Sequence, residues 1–165
     1  LTLIDNVKIA YHQHMNYGLV SAVMRLPKYF SEESRINEKA LNLLKIFNLE
    51  HKKDEIAKNL PYGEQRRLEI ARALACEPKL LLLDEPAAGM NPQETNELME
   101  LIKWIRNKFG LTILLIEHDM SLVMGACERI YVLEYGRIIA EGKPEEIKSN
   151  PRVIEAYLGE EVFYA

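Results

Sequence analysis

Along residues 36–47 the apolar positions Ile36, Ala40, Leu43, Leu44 and Phe47 recur every three or four residues, the spacing of one buried helix face. Ser31 ahead of them predicts the cap of that amphipathic helix. Thr2 with Asp5 three residues on resembles a capping box, with Asp in place of Glu, and opens a helix through about Tyr11. Asn59 to Gly63 breaks the pattern, and another helix is predicted from about Glu64 to Ala75. Residues 12–30, with Gly18 and Pro27, read as irregular.

After Ala75 the grammar changes. Lys79–Leu83 is a short unbroken apolar run, which predicts a strand covered on both faces. Residues 93–109 carry Leu98, Leu101, Ile102, Ile105 and Phe109 at helical spacing. Thr112–Ile116 predicts a second buried strand, residues near 119–126 a short helix, and Ile130–Leu133 a third strand. Tyr135-Gly136 turns the chain into a fourth strand at Arg137–Ala140. Pro144–Lys148 and Pro151–Leu158 each open on proline, which suits the first helical position, and predict two closing helices. A helical first part followed by alternating strand and helix implies an α/β fold with parallel strands and right-handed crossovers.

Composition narrows the class. With 165 residues, 48% hydrophobic and 28% charged, the chain holds enough apolar surface for a real core. The formal charge of −4 gives no electrostatic footprint for nucleic acid, so none is expected as a partner. Cys76 and Cys127 form no C-x-x-C pair, which fits a reducing compartment. The densest apolar runs, Leu80–Leu83 and Ile113–Ile116, are too short to span a bilayer. The chain opens on Leu1 in what reads as mid-domain helix, so a truncation boundary is expected there.

The candidate chemistry lies at strand ends. Leu80–Leu83 runs into Asp84-Glu85-Pro86, and in open α/β sheets ligands bind at the carboxyl ends of strands. Read alone, the two acids equally suit a solvated exit loop. Ile116-Glu117-His118-Asp119 ends the next strand, and a crossover helix between the two would bring His118 to the same edge as Asp84 and Glu85. Leu60-Pro61-Tyr62-Gly63-Glu64-Gln65 leads into a helix whose free amides make an anion site, though an ordinary helix start reads the same way. His12 and His14 point to different helix faces, which argues against a metal site. His51-Lys52-Lys53 reads as a solvated linker, Trp104 as packing at the edge of its helix, and Arg66, Arg67 and Arg72 as structural ion pairs.

As a set these runs resemble the ATPase subunits of ABC transporters. Leu60–Leu74 (LPYGEQRRLEIARAL) resembles the signature and its helix, Leu80–Pro86 (LLLLDEP) the Walker B strand, Ala88–Pro92 (AGMNP) the D-loop, and Ile116–Asp119 (IEHD) the switch-histidine loop. Gly136–Ile147 is similar to the family's C-terminal hairpin and helix. Within the family, DEPAAGMNP, IEHDM-SLVM and NPRVIEAYLGEE look like the branched-chain amino-acid importers, with the lipopolysaccharide-export ATPase a near relative. A soluble ABC protein of translation or DNA repair is a further alternative, but neither a second cassette nor a coiled-coil insert is present.

The resemblance implies the C-terminal half of an ABC ATPase: a helical subdomain over 1–78, later strands of a RecA-like sheet over 79–143 and a helical tail over 144–165. It implies that Asp84 holds Mg²⁺, that Glu85 is the general base, and that His118 contacts the γ-phosphate of ATP. It places Pro61, Tyr62, Gly63, Glu64 and Gln65 of the signature, and Asn91 of the D-loop, at the nucleotide, with Glu64 turned away from phosphate. Its implied partners are a second ATPase subunit, identical or not, and transmembrane permease subunits, at the cytoplasmic face of the inner membrane. The departures are a signature with Pro61, Tyr62 and Glu64 where Ser, Gly and Gln are commonest, and Asn91 for Asp. No G-x-x-x-x-G-K-[ST] phosphate loop occurs: at Gly142-Lys143, Pro144 replaces the Ser/Thr and Arg137 the first Gly. The adenine-stacking aromatic and the Gln-bearing loop are missing too, so these 165 residues alone are expected to be inactive.

Overall fold

The computed structural model of the chain describes residues 1–162. It divides into two compact units, Leu1–Leu81 and Leu82–Ala165.

The first unit is helical. Its elements are α1 (Leu3–Ala10), a 3₁₀ turn (Tyr11–His14), α2 (Leu19–Val23), α3 (Pro27–Ile46), two short 3₁₀ turns and α4 (Tyr62–Ala75). Thr2 caps α1 as expected, its hydroxyl accepting from Asp5 N–H at 3.2 Å. Two amides of the first turn that lack helical partners go elsewhere: Leu3 N–H to Glu55 and Ile4 N–H to Lys53 carbonyls, both at 3.0 Å. Leu3 and Val7 of α1 lie in one core with Ile36, Ala40, Leu43 and Leu44 of α3, and with Leu68, Ala71 and Leu74 of α4. Fully burying a leucine or isoleucine here is worth about 1.5–3 kcal/mol, and Leu44→Ala would cost about 2–5 kcal/mol through the cavity left behind.

Three expectations need correction. Helix α3 starts at Pro27, four residues before Ser31, because a proline at the first helical position is pre-set for the helix. Ser31 is therefore inside the helix, its hydroxyl donating back to the Lys28 carbonyl. The stretch 12–30 contains α2 and most of the first 3₁₀ turn, so His12 and His14 lie on that turn, not on an α-helix. Helix α4 starts at Tyr62, which puts Gly63 in its first turn instead of at its entry.

In the second unit, β1 (Leu80–Asp84), whose first two residues fall in the first unit, pairs with β2 (Thr112–Ile116), and α5 (Pro92–Phe109) connects them. Glu85 N–H donates to the Ile116 carbonyl at 2.9 Å, so both strands end side by side. Asn91 and Glu94 form a capping box at the start of α5, and Gly110, in the left-handed conformation at φ 62°, closes its far end. Thr95, Leu98, Ile102 and Ile105 form its buried face, while Phe109 is exposed and stacks edge-on against Trp104. The strands are not covered on both faces as expected: Leu82, Leu114 and Ile116 are exposed, and burial alternates along β1.

The remaining strands meet at the turn expected at Tyr135-Gly136. β3 (Ile130–Glu134) and β4 (Arg137–Gly142) form a separate antiparallel hairpin with an irregularity between Val132 and Leu133. Two turn residues cannot support a crossover, so the pair must be antiparallel. Helix α6 (Met120–Ala126) precedes the hairpin; α7 (Pro144–Lys148) and α8 (Pro151–Val162) follow it. Ile130, Ile147 and Val153 form a small core with Val123, Met124, Cys127, Val132 and Ala140 around it. Residues 163–165 of the tail expected over 144–165 lie outside the described residues. Among those described, no helix is long and apolar enough to cross a membrane.

Candidate active site

At the shared end of β1 and β2 the chain turns sharply twice. After Asp84, the backbone of Glu85 takes φ +43°, a left-handed conformation that costs a non-glycine residue about 1–2 kcal/mol. A tight loop follows, with Ala88 N–H donating to the Glu85 carbonyl at 3.1 Å and Met90 N–H to that of Ala87 at 3.0 Å. The loop ends in the cap of α5. Asn91 Oδ1 accepts from Gln93 and Glu94 N–H at 2.9 and 3.0 Å, and Glu94 Oε2 accepts from Asn91 N–H at 2.9 Å. The Asn91 side chain is thus engaged in its own helix.

After β2 come Glu117 and His118. His118 Nδ1 lies 3.5 Å from Glu85 Oε1, with the two side chains 76% and 54% exposed. The edge-sharing expected for His118 and Glu85 is therefore present. Asp84 also stands exposed at the end of β1. Asp119 turns away into structure, capping α6 by accepting from Ser121 and Leu122 N–H. What the pattern of residues missed is Glu117. Only 1% of its side chain is exposed; Oε1 accepts from Ala87 N–H at 2.8 Å and Oε2 from His118 N–H at 3.2 Å. A glutamate directly after a strand reads as solvated, and nothing in its neighbours announces that burial.

In the other unit, Pro61 occupies the N-cap of α4 with no side chain satisfying the first-turn amides. Helix starts of this kind present free N–H groups and the positive end of the dipole. Tyr62 and Gly63 supply the first turn. Arg66 lies over the Tyr62 ring and donates to its hydroxyl from Nε at 3.0 Å, and it pairs with Glu69 at 2.7 Å. Gln65 Nε2 donates to the Leu60 carbonyl at 2.8 Å, holding the entry loop. Glu64 is held by Lys52, so Lys52 is no solvated linker residue; its side chain is largely covered. Among the described residues no group of three or more potential metal ligands is gathered.

Comparison with known proteins agrees with the arrangement. The ABC transporter family model matches residues 3–88, and that of the branched-chain amino acid ATP-binding cassette transporter matches 137–162. The high-affinity branched-chain amino acid transport ATP-binding protein LivG of Salmonella typhimurium is 50% identical over 97% of this chain and 63% of its own length. The lipopolysaccharide export system ATP-binding protein LptB of Haemophilus influenzae is 40% identical over 88% of this chain and 59% of its own length. A solved ATP-binding cassette of an ABC transporter, in its ADP conformation, superposes with a TM-score of 0.76 at 30% identity, over 96% of this chain and 63% of that one. The chain thus spans less than two thirds of the length of these relatives. The chain belongs to the ABC transporter family of ATP-binding subunits.

Proposed function

We propose that this chain is the signature- and base-bearing part of an ATPase subunit that drives import of branched-chain amino acids. The observation that carries the reading is the approach of Glu85 and His118 to 3.5 Å at the shared end of two neighbouring strands. An acid and an imidazole exposed together at such an edge suit a phosphate and a water between them. Glu85 takes the proton of the attacking water as general base. His118 directs its imidazole to the γ-phosphate as charge develops there. Asp84, an exposed hard oxygen donor at the same edge, is assigned to Mg²⁺, which when bound would neutralise phosphate charge.

The first turn of α4, at Tyr62 and Gly63 behind Pro61, is assigned to the γ-phosphate of an ATP held by a second ATPase subunit. Glu64 and Gln65 shape that turn without offering charge to the phosphate, and Asn91 contributes the loop before α5. The helical unit docks on permease subunits at the cytoplasmic face of the membrane. The tail match over residues 137–162 supports amino acids over lipopolysaccharide as the cargo. These 165 residues carry no phosphate loop, so they alone are expected not to turn over ATP.

The test uses a full-length subunit carrying a phosphate-loop segment ahead of Leu1. Glu85→Gln keeps ATP binding, loses hydrolysis by about a hundredfold or more, and accumulates as an ATP-bound dimer. Near-normal turnover by that variant shows that Glu85 is not the base. ATP-dependent leucine uptake by vesicles holding the subunit and its permeases tests the cargo.

A further inference from the structure

We propose that Glu117 is a positioning residue. It fastens the loop after β1 to the loop after β2 and thereby holds Glu85 and His118 at their working separation. The proposal rests on the ATP-hydrolysing function put forward above.

Glu117 stands apart from its neighbours in exposure. Glu85 and His118 are open to solvent, whereas the Glu117 side chain is enclosed, with 1% exposed. Removing a carboxylate from water is costly unless hydrogen bonds replace its hydration. Glu117 directs one oxygen to each loop: Oε1 to Ala87 N–H and Oε2 to His118 N–H. The first amide lies two residues after Glu85, and the second belongs to His118 itself. Charge-assisted bonds of this kind are about twice as strong as neutral ones.

The backbone of Glu85 gives the clamp a task. Its left-handed conformation persists only where the surroundings over-determine it. Two holds are backbone bonds, Glu85 N–H to Ile116 and Ala88 N–H to Glu85. The third is the Glu117 carboxylate on Ala87, in the middle of the same turn. Being enclosed, Glu117 offers no surface to a nucleotide and acts only through the two groups it places.

The side-chain chemistry is specific. Only a carboxylate accepts from both amides at this reach. Glutamine keeps one acceptor oxygen and turns an NH₂ toward the other donor.

The experiment compares full-length wild-type subunit, Glu117→Gln and Glu117→Ala. In nucleotide-free protein, amide exchange at Ala87 and His118 reads the clamp. Exchange is expected to rise about tenfold at one of the two amides in Glu117→Gln and at both in Glu117→Ala. Small misplacements of reacting groups cost up to about a hundredfold in rate. Glu117→Ala is accordingly expected to lower kcat at least about tenfold with the KM for ATP within about twofold, and Glu117→Gln to lie between it and wild type. Unchanged exchange overturns the clamp. Unchanged kcat in Glu117→Gln, or a rise in KM with kcat intact, overturns the positioning role. Should Glu117→Ala fail to fold, the near-isosteric Glu117→Gln decides. A wild-type subunit without ATPase activity refutes the function proposed above, while the exchange rates still judge the clamp by themselves.

Discussion

Lys52 Nζ reaches both carboxylate oxygens of Glu64, at 2.8 and 2.7 Å, and so fixes the acid in the first turn of α4. Glu64 is the one acidic residue in a turn assigned to phosphate. Paired, it presents little net charge to an approaching anion.

Removing the cation should expose that charge. In the full-length Glu85→Gln background, Lys52→Met is expected to raise the ATP concentration needed for dimerisation severalfold, and Glu64→Gln added to it to restore the wild-type value. Gly63→Asp, which places bulk and like charge in the same turn, is expected to abolish dimerisation. Sizing against ATP concentration measures all three. Unaltered dimerisation in Gly63→Asp removes the signature from the nucleotide site.

His118 tests the other half of the proposed chemistry. Its ring is exposed and approaches the carboxylates of Glu85 and Glu117, at 3.5 and 3.9 Å. His118→Ala in the full-length subunit should leave folding intact and cut turnover far more than ATP affinity, since its contact matters when charge develops in the transition state. An equal loss in kcat/KM and in affinity for a non-hydrolysable analogue would assign His118 to ground-state binding instead.

What was legible in the residues follows from how local each signal is. Thr2 and Asp5 announce α1 because a cap is satisfied within three residues. The DEP and EHD runs mark the edge where Glu85 and His118 meet because each sits at the end of an apolar strand. The start of α3 is not legible locally because Pro27 is both a helix breaker and a favoured first residue, and only packing decides between them. Lys52 and Glu64 are twelve residues apart on separate elements, so their pairing has no local signature. The exposure of Leu82, Leu114 and Ile116 depends on what lies beside β1 and β2, which no pattern within those strands encodes.

The helical unit should lose stability in mild acid. Burial by itself would raise the Glu33 carboxyl, but hydrogen bonds from Lys8 at 3.1 Å and Tyr17 at 3.0 Å outweigh it and hold the group below the usual glutamate range. Bonds from Lys39 and Arg35 lower Glu77 and Glu32 likewise. A carboxyl lowered on folding contributes stability that is present above its unfolded pKa, about 4.3 for glutamate, and is lost as pH falls through the folded value. The urea midpoint is therefore expected to drop between about pH 5 and pH 3, with a shallower drop in Glu33→Gln. A flat wild-type profile over that range would show that these pairs carry no stability.

The hairpin turn offers a gain. Tyr135 and Gly136 both take positive φ, at 47° and 75°, the requirement of the tight two-residue turn whose twist matches paired strands. Glycine meets that requirement freely, whereas a bulky aromatic does not. The Tyr135 ring gives nothing in return, since the residue is 98% exposed. Asparagine tolerates the left-handed region because its short side chain bonds locally, and Asn-Gly is the preferred pair at such turns. Tyr135→Asn is therefore expected to raise stability by about 0.5–1 kcal/mol, part of the cost of holding a non-glycine residue left-handed. In thermal unfolding this appears as a gain of a few degrees for a chain of this size. A lower Tm in Tyr135→Asn would mean that the exposed ring meets a surface that the chain by itself does not present.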